Sequence, residues 1–555
     1  MKIFRKLAKV FRSYSDIDKA ISFACLGIVM LMIFKMIVFP YGLFNFGDEK
    51  VYTEGLVGEN GFQNLNPLFV DYNELDKEVC RLVFSGLMKY DSRQKSIVAD
   101  MASLTINEDK TEYTFVLKSG LKWHDGKPLT TDDVFFTFAY IIQDPSFQND
   151  VLKADFDGVE ITQIDSRTIK FKLPRPNIFF VTNMTTGILP KHILGSVPAD
   201  ALLYSNFNKK PIGSGPYMVT EPIQQFKDGR MQVTLAMNPA YYGVNPKIEK
   251  YRFISYPTMN ELIDEITAVN GIVKVYGKYA ADLKSRGDYV VMPYELPQYM
   301  AVFINTDRVK YSKIRTALLR SIDRDKLLED ISDKKSIASP VLDIDQTPLF
   351  VSTDIELAKQ MLTDAQYTYP KPDSKFRADS DGEILKLSLL AREFPDGSQQ
   401  SEEFSIVLKF LEKTWEDIGI QIDVNILPVD QLNERIMNRD YDLLLMGQTL
   451  GYASDDAYSF WHSSQVDTNG LNLSNYKSFQ VDSLIEQIRL TFESEKRLEK
   501  LKTLATQLVT DVPAIFLYRP IYYYASDDKV EGIKVDGMAY SSDRFSNLEE
   551  WHFSN

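Results

Sequence analysis

Cysteine is nearly missing from the 555 residues, with only Cys25 and Cys80 present, and histidine is confined to His124, His192, His462 and His552. Structural metal sites draw on clustered Cys and His. No H-E-x-x-H pattern or His pair at helical spacing occurs, so neither a metal nor another cofactor is expected. Cys25 lies inside an apolar run and Cys80 beyond it, so the two are not expected to pair; a chain of this length can rely on its core instead. A G-x-S-x-G nucleophile elbow and a G-x-x-x-x-G-K-[ST] phosphate loop are both missing, and no catalytic residues are expected. Positive charge is in deficit. The formal net charge of -14 argues against general nucleic-acid binding, which needs a Lys/Arg surface, and describes a well-solvated acidic exterior.

Long hydrophobic runs are scarce as well, with one exception. Ile21 to Phe39 reads ISFACLGIVMLMIFKMIVF, with Lys35 its single charge near the far end. About twenty apolar residues span a bilayer as a helix, and a Lys near the end can snorkel to the interface. Lys2, Arg5, Lys6, Lys9, Arg12 and Lys19 precede the run, which places the N-terminus in the cytoplasm and the remainder outside by the positive-inside rule. A cleavable signal would end in a small-x-small site, and FPYGLFNFG offers none. A lipoprotein signal would place a cysteine at the end of the run, whereas Cys25 is near its start. The expectation is a basic tail at 1–20, a single transmembrane anchor at 21–40 and a stalk at 41–50.

With 44% hydrophobic residues, the rest of the chain has a globular composition, and its length favours several domains. Glu112 to Leu117 predicts a strand, and Val159 to Ile164 with Thr168 to Leu173 predicts a hairpin around Asp165, Ser166 and Arg167. Thr131 to Ile142 reads as a helix. Leu385, Leu387 and Leu389 alternate as a strand; Phe404, Val407, Leu408, Leu411, Trp415 and Ile418 follow helical spacing, and Gly419 stops that helix. Ile420, Ile422, Val424 and Ile426 alternate again, Asp430 is placed to cap a further helix, and Leu443 to Met446 form a short buried strand. Strand, helix, strand, helix, strand describes a parallel-rich α/β sheet, whose ligands tend to bind beyond the strands' carboxyl ends. The loop after Met446 is therefore a site candidate on topology.

Several segments together resemble the extracytoplasmic solute-binding protein family 5, the oligopeptide- and dipeptide-binding proteins of ABC importers. They are GLKWHDGKPLTTDDVFFTF (Gly120 to Phe138), PIGSGPYMV (Pro211 to Val219), INTDRVKYSKIRTALLRSIDRDKLL (Ile304 to Leu328), LEKTWEDIGIQIDV (Leu411 to Val424), VDSLIEQI (Val481 to Ile488) and DVPAIFLY (Asp511 to Tyr518). The resemblance runs in the family's order from about Val51 to the C-terminus. It implies an α/β, two-lobed periplasmic-binding-protein fold of type II with three domains, preceded here by the N-terminal transmembrane helix. Domain I would comprise 51–90, 208–296 and 520–555, domain II the insertion 91–207, and domain III 297–519. Two chain crossings between domains I and III would act as a hinge. The implied partners are a peptide ligand and the permease and ATPase subunits of the importer, with the body extracytoplasmic and monomeric. A sensory or scaffold ectodomain is the alternative, and relatives also bind nickel chelates, sugars or opines.

Gly213, Ser214 and Gly215 read as a structural turn, since Pro216 follows at once, and Trp123, His124 and Asp125 as a packed loop. The segment Gln448 to Ser464 (QTLGYASDDAYSFWHSS) is the functional candidate. In the family this loop carries an acid that pairs with the peptide α-amino group, a charge-assisted bond strengthened in a closed cleft. Here Ala453 stands where the first acid of the family's run would fall, Asp456 keeps the second, and Asp455 adds a neighbour. Two roles stay open for Asp455 and Asp456: contact with ligand from a shifted position, or capping of the following helix. Tyr452, Tyr458 and Trp461 are the aromatic candidates for the cleft wall, with core packing the competing role, above all for Trp461.

Overall fold

The computed structural model describes residues 50–395, 398–466 and 470–554. The basic tail, the anchor at 21–40, Cys25 and the stalk up to Glu49 lie outside these residues. Among the described residues, no helix is long and apolar enough to cross a membrane. The body, from Val51 onward, is one compact unit.

A 13-stranded sheet runs through it. Ten of its strands follow the order Gln421–Leu427, Lys386–Arg392, Leu443–Thr449, Gln298–Ile304, Ala514–Asp527, Gly271–Val275, Val51–Val57, Lys250–Tyr256, Met231–Met237 and Tyr217–Val219, while Tyr289–Glu295 and Lys334–Ser336 pair with Ala514–Asp527 and Gln224–Gln225 with Met231–Met237. The strand Ala514–Asp527 joins the two halves. Its first part pairs with Gln298–Ile304, and Ile521 to Asp527 pair with Tyr289–Glu295. The chain thus passes between the halves twice, side by side, at 295–298 and 518–521. Pro297 and Pro520 fall in these two crossings and cannot donate to a ladder, and at the second crossing Tyr518 to Pro520 pair with the short strand Lys334–Ser336.

Each half has its own interior. Around Gln298–Ile304 the period of two sorts side chains onto opposite faces. Val302, Ile304, Leu389, Leu443, Leu445 and Ile515 build one core, with Trp415 and Leu411 from the helix Gln399–Glu416. Ala301, Phe303, Leu390, Leu444 and Phe516 build another, with Leu504 and Leu508 from the helix Ser494–Asp511. This is a sheet between two helical layers. The predicted strands here hold: Lys386–Arg392 pairs in parallel with Gln421–Leu427 and with Leu443–Thr449. Asp430 lies inside the first turn of the helix Val429–Met437, whose N-cap is Pro428, so it does not cap as expected.

In the other half, Tyr52, Tyr251, Phe253, Val233 and Leu235 face one core, and Tyr256, Leu262, Ile272 and Leu283 the opposite one. A four-stranded antiparallel sheet packs into the first of these cores: Ala102–Ile106, Glu112–Leu117, Thr168–Lys172 and Glu160–Gln163. The last two form the predicted hairpin, closed by backbone N–H groups of Arg167 and Thr168 donating to Asp165 Oδ1 at 2.8 and 3.0 Å. The predicted helix from Thr131 changes character at Phe136 and continues to Ile142 as a π-helix. In that helix Phe136 stacks on Tyr140 at 5.7 Å, and Phe136, Thr137, Ile141 and Ile142 are buried.

Two motifs singled out from the sequence dock on each other. His124 Nδ1 accepts from Gly213 N at 3.0 Å, and its Nε2 lies 3.1 Å from Gly215 O. Burial pulls this imidazole down to about 4, which keeps it neutral as the pairing requires. Gly215 N donates to Val83 O at 2.9 Å, and a Cβ on Gly213 would collide with that same carbonyl. The Trp123–Asp125 loop and the Gly213–Gly215 turn therefore fix the end of the helix Glu74–Val83.

Candidate functional site

A cavity of about 800 Å³ opens between the halves, within the range of small-ligand sites. Three walls meet there: the helix Glu74–Val83 with Tyr540 and Ser542, the insertion between Val151 and Gly187, and the segment from Thr449 to Arg489. The strand Leu443–Thr449 ends at this cavity, as expected for a parallel-rich sheet. Gly451 follows with φ +63°, and a Cβ there would collide with the Tyr540 hydroxyl, so the chain turns toward the opposite lobe only with glycine.

Tyr452 uses that turn to cross the gap. Its ring stacks on Tyr90 and meets Tyr540 edge-on, both at 4.9 Å between centroids. Its hydroxyl donates to Asp543 Oδ1 at 2.9 Å. The same carboxylate accepts from the backbone N–H groups of Ala539 and Tyr540, and Arg81 stands 3.9 Å away. Burial raises the Asp543 carboxyl above the ordinary range. Tyr452 is thus an interlobe contact as well as part of the wall.

Asp456 lines the cavity but its charge is already engaged. Arg489 grips it with two nitrogens, Nε to Oδ1 at 2.9 Å and Nη2 to Oδ2 at 2.7 Å, and Oδ1 also accepts from Tyr458 N at 3.2 Å. Tyr458, also in the wall, lies under the Arg489 guanidinium at 3.9 Å and stacks on His462 at 4.3 Å. Asp455 is not in the wall. Burial raises its carboxyl, and its charged surroundings are Asp343, Arg497 and Asp456. Trp461 is not in the wall either and takes the core-packing alternative instead. It is 2% exposed, between Phe303 and Phe516 in the core, because helical spacing turns it inward from the short helix Tyr458–Trp461.

Charged pairs, most of whose members no site motif singled out, complete the site. Lys77 pairs with Asp71 at 2.7 Å, Arg175 with Glu486 at 3.3 Å, and Arg489 with Asp456 as above. Asp155 and Asp157 stand in the wall, and among the described residues neither carboxylate has a hydrogen bond or an ion pair. Asp155 is open to the cleft yet walled in by both lobes. Crowding by protein raises its carboxyl to about 7, with Asp456 and Asp71 adding to the rise and Arg489 opposing it. The insertion carries no periodic pattern that separates these two aspartates from ordinary surface acids.

This arrangement, a cavity between two lobes joined by paired crossing strands, defines a solute-binding protein. Residues 96–470, well over half of the chain, match the model of the bacterial extracellular solute-binding proteins, family 5 (middle), and the chain belongs to that family. The oligopeptide-binding protein AppA of Bacillus subtilis is 26% identical over 517 residues, covering 89% of this chain and 91% of that protein. The solved structure of that protein in complex with a nonapeptide superposes with a TM-score of 0.73, over 91% of this chain and all of that one. NikZ of Campylobacter jejuni, solved in complex with Ni(L-His), reaches the same TM-score at 22% identity, over 90% and 99% of the two chains. At these identities the solved structures show the fold.

Proposed function

We propose that the chain is the substrate-binding subunit of an ABC importer, which captures peptides in the interlobe cavity and carries out no reaction on them. The observation that carries this reading is the cavity itself, with acids and bases on its walls and Tyr452 reaching from one lobe to Asp543 of the other. The similarity to a peptide-binding relative over nine-tenths of its length supports it. An extended peptide would lie between the lobes, held through its main chain so that many sequences are accepted. A handful of hydrogen bonds at about 1 kcal/mol each, with some apolar burial, brings affinity to about micromolar, near -8 kcal/mol.

In this reading the lobes are 51–90 with 208–296 and 520–555, joined by the insertion 91–207, and 297–519 opposite. Asp456, Tyr452 and Tyr458 line the ligand's side of the cavity, Asp456 with its carboxylate held by Arg489. The apolar run at 21–40 tethers the body outside the membrane beside permease and ATPase subunits, which raises its local concentration there. Trp461 serves the core, and Asp455 buttresses the loop. Native mass spectrometry of the purified full chain tests the function. Co-purifying peptides are expected; a single non-peptide solute, such as a metal chelate, would replace this reading with the one that the NikZ likeness suggests.

A further inference from the structure

We propose that Asp155 is the specificity-determining residue that receives a cationic group of the ligand, the α-amino terminus of a peptide being the first candidate. The inference rests on the peptide reading above and deepens it.

The argument is a count of charges around one cavity. Among the described lining residues, the bases are Lys77, Arg81, Arg175 and Arg489, and each has a carboxylate of the protein within 4 Å. The lining acids Asp71, Glu486 and Asp456 are the partners of three of them, and Arg81 is matched by Asp543 behind the wall. Asp155 and Asp157 are left over, side by side after the short helix Asp150–Ala154. The loop opposite cannot serve a ligand cation without breaking a contact. Both Asp456 oxygens are held by Arg489, and Ala453 offers no charge. Two carboxylates are therefore free to meet positive charge, and both lie on the insertion.

Asp155 separates from Asp157 by its surroundings. Protein crowds it from both lobes, and Asp71 and Asp456 lie close enough to oppose its ionisation. An ammonium ion placed there relieves that repulsion, and with protein on both sides of the cleft the attraction is stronger than on an open surface. The bound cation also favours the ionised form, so binding should release the carboxylate's proton to solvent near neutral pH. Burial, Asp456 and Arg489 from the third wall and Asp71 across the cavity set this titration, and Lys77 and Asp157 are the other charged groups lining that side.

The test offers the full chain a mixed-sequence tetrapeptide library in two forms, free and N-acetylated, and measures what is retained by mass spectrometry. The expected result is retention of the free library about tenfold above the acetylated one. Asp155→Asn should bring the two within about threefold without reducing retention of the acetylated form. Asp157→Asn should leave the preference in place. The free-library preference should also weaken on going from about pH 7.5 to about pH 5.5 in the wild type and not in Asp155→Asn. Peptides retained with the same preference by wild type and Asp155→Asn would overturn this assignment alone. Equal loss at Asp157→Asn would overturn it too, by showing a diffuse field. Retention of neither library would overturn the peptide reading and this inference together.

Discussion

Two clusters of charge in this molecule invite comparison, one sealed in a core and one on the wall of the cleft. In the sealed cluster, Arg544 lies between Glu54 and Glu78. Its Nε donates to Glu54 Oε1 at 3.0 Å, its Nη2 to Glu54 Oε2 at 2.5 Å, and its Nη1 to Glu78 and, at 2.7 Å, to Ser541 O. Tyr251 and Tyr524 donate to the remaining lone pairs of Glu54 at 2.7 and 2.5 Å. Every polar group there has its partner inside the protein, so nothing is left to address a ligand. In the cleft, the same residue types leave Asp155 unmatched. A buried charge is costly without a partner and a half-solvated one much less so, so an unmatched carboxylate survives where solvent reaches it, as it does beside the cavity. Completeness of pairing thus separates a device for folding from a device for binding.

The largest expected effect breaks the sealed cluster. Arg544→Ala leaves two carboxylates without their cation and should lower stability by about 3–5 kcal/mol in chemical denaturation. Trp461→Ala should cost a similar amount, about 3–5 kcal/mol, because a buried indole in the core is removed. Were Trp461 part of the cleft wall, affinity would change before stability did. Arg489→Ala probes the cleft cluster and should behave differently. Losing a charged hydrogen-bond pair should lower stability by about 1.5–3 kcal/mol, while the Asp456 carboxylate it frees should keep or raise affinity for the free-amine peptide library. A matching loss of affinity would place Arg489, rather than Asp155, in contact with ligand. Tyr452→Phe removes the hydroxyl bond to Asp543 and should weaken binding by about 1 kcal/mol in a titration, as closure loses one interlobe hydrogen bond.

The smallest effect is in pH dependence. Burial first, and then Glu54, raises the Glu78 carboxyl to about 7, with Arg544 opposing the rise. The folded state then holds a proton that the unfolded chain releases near 4.5, so between about 4.5 and 7 stability falls as pH rises. Glu78→Gln should flatten that slope in thermal unfolding across this window. An unchanged slope would show that Glu78 stays ionised beside Arg544.

Much of the α/β half was legible in the sequence because its signals are local. Leu387 and Leu389 alternate, Val407, Leu411 and Trp415 recur at helical spacing, and Gly419 ends the helix at φ +94°. The stretch from Leu443 was readable as a buried strand, and its end was placed at the cavity by topology. The loop after it was read less well. Asp456 does accept from Tyr458 N, but the N-cap of that short helix is Ala457 with no side-chain cap, so neither aspartate caps it, and nothing near Asp456 in sequence announced Arg489, 33 residues on. Tyr452 looked like a wall aromatic, and its bond to Asp543 joins residues 91 positions apart.

The amino-acid sequence by itself determined the elements and the family, because period, turn chemistry and motif order are properties of neighbouring residues. Only the tertiary structure decided which charges are matched. Arg489 reaches Asp456, Arg544 reaches Glu54 across 490 positions, and Asp155 forms no ion pair or hydrogen bond through its carboxylate among the described residues. Pairing depends on distances of a few ångströms between segments far apart in the chain, since Coulomb attraction and hydrogen bonds act through space and carry no trace in local pattern.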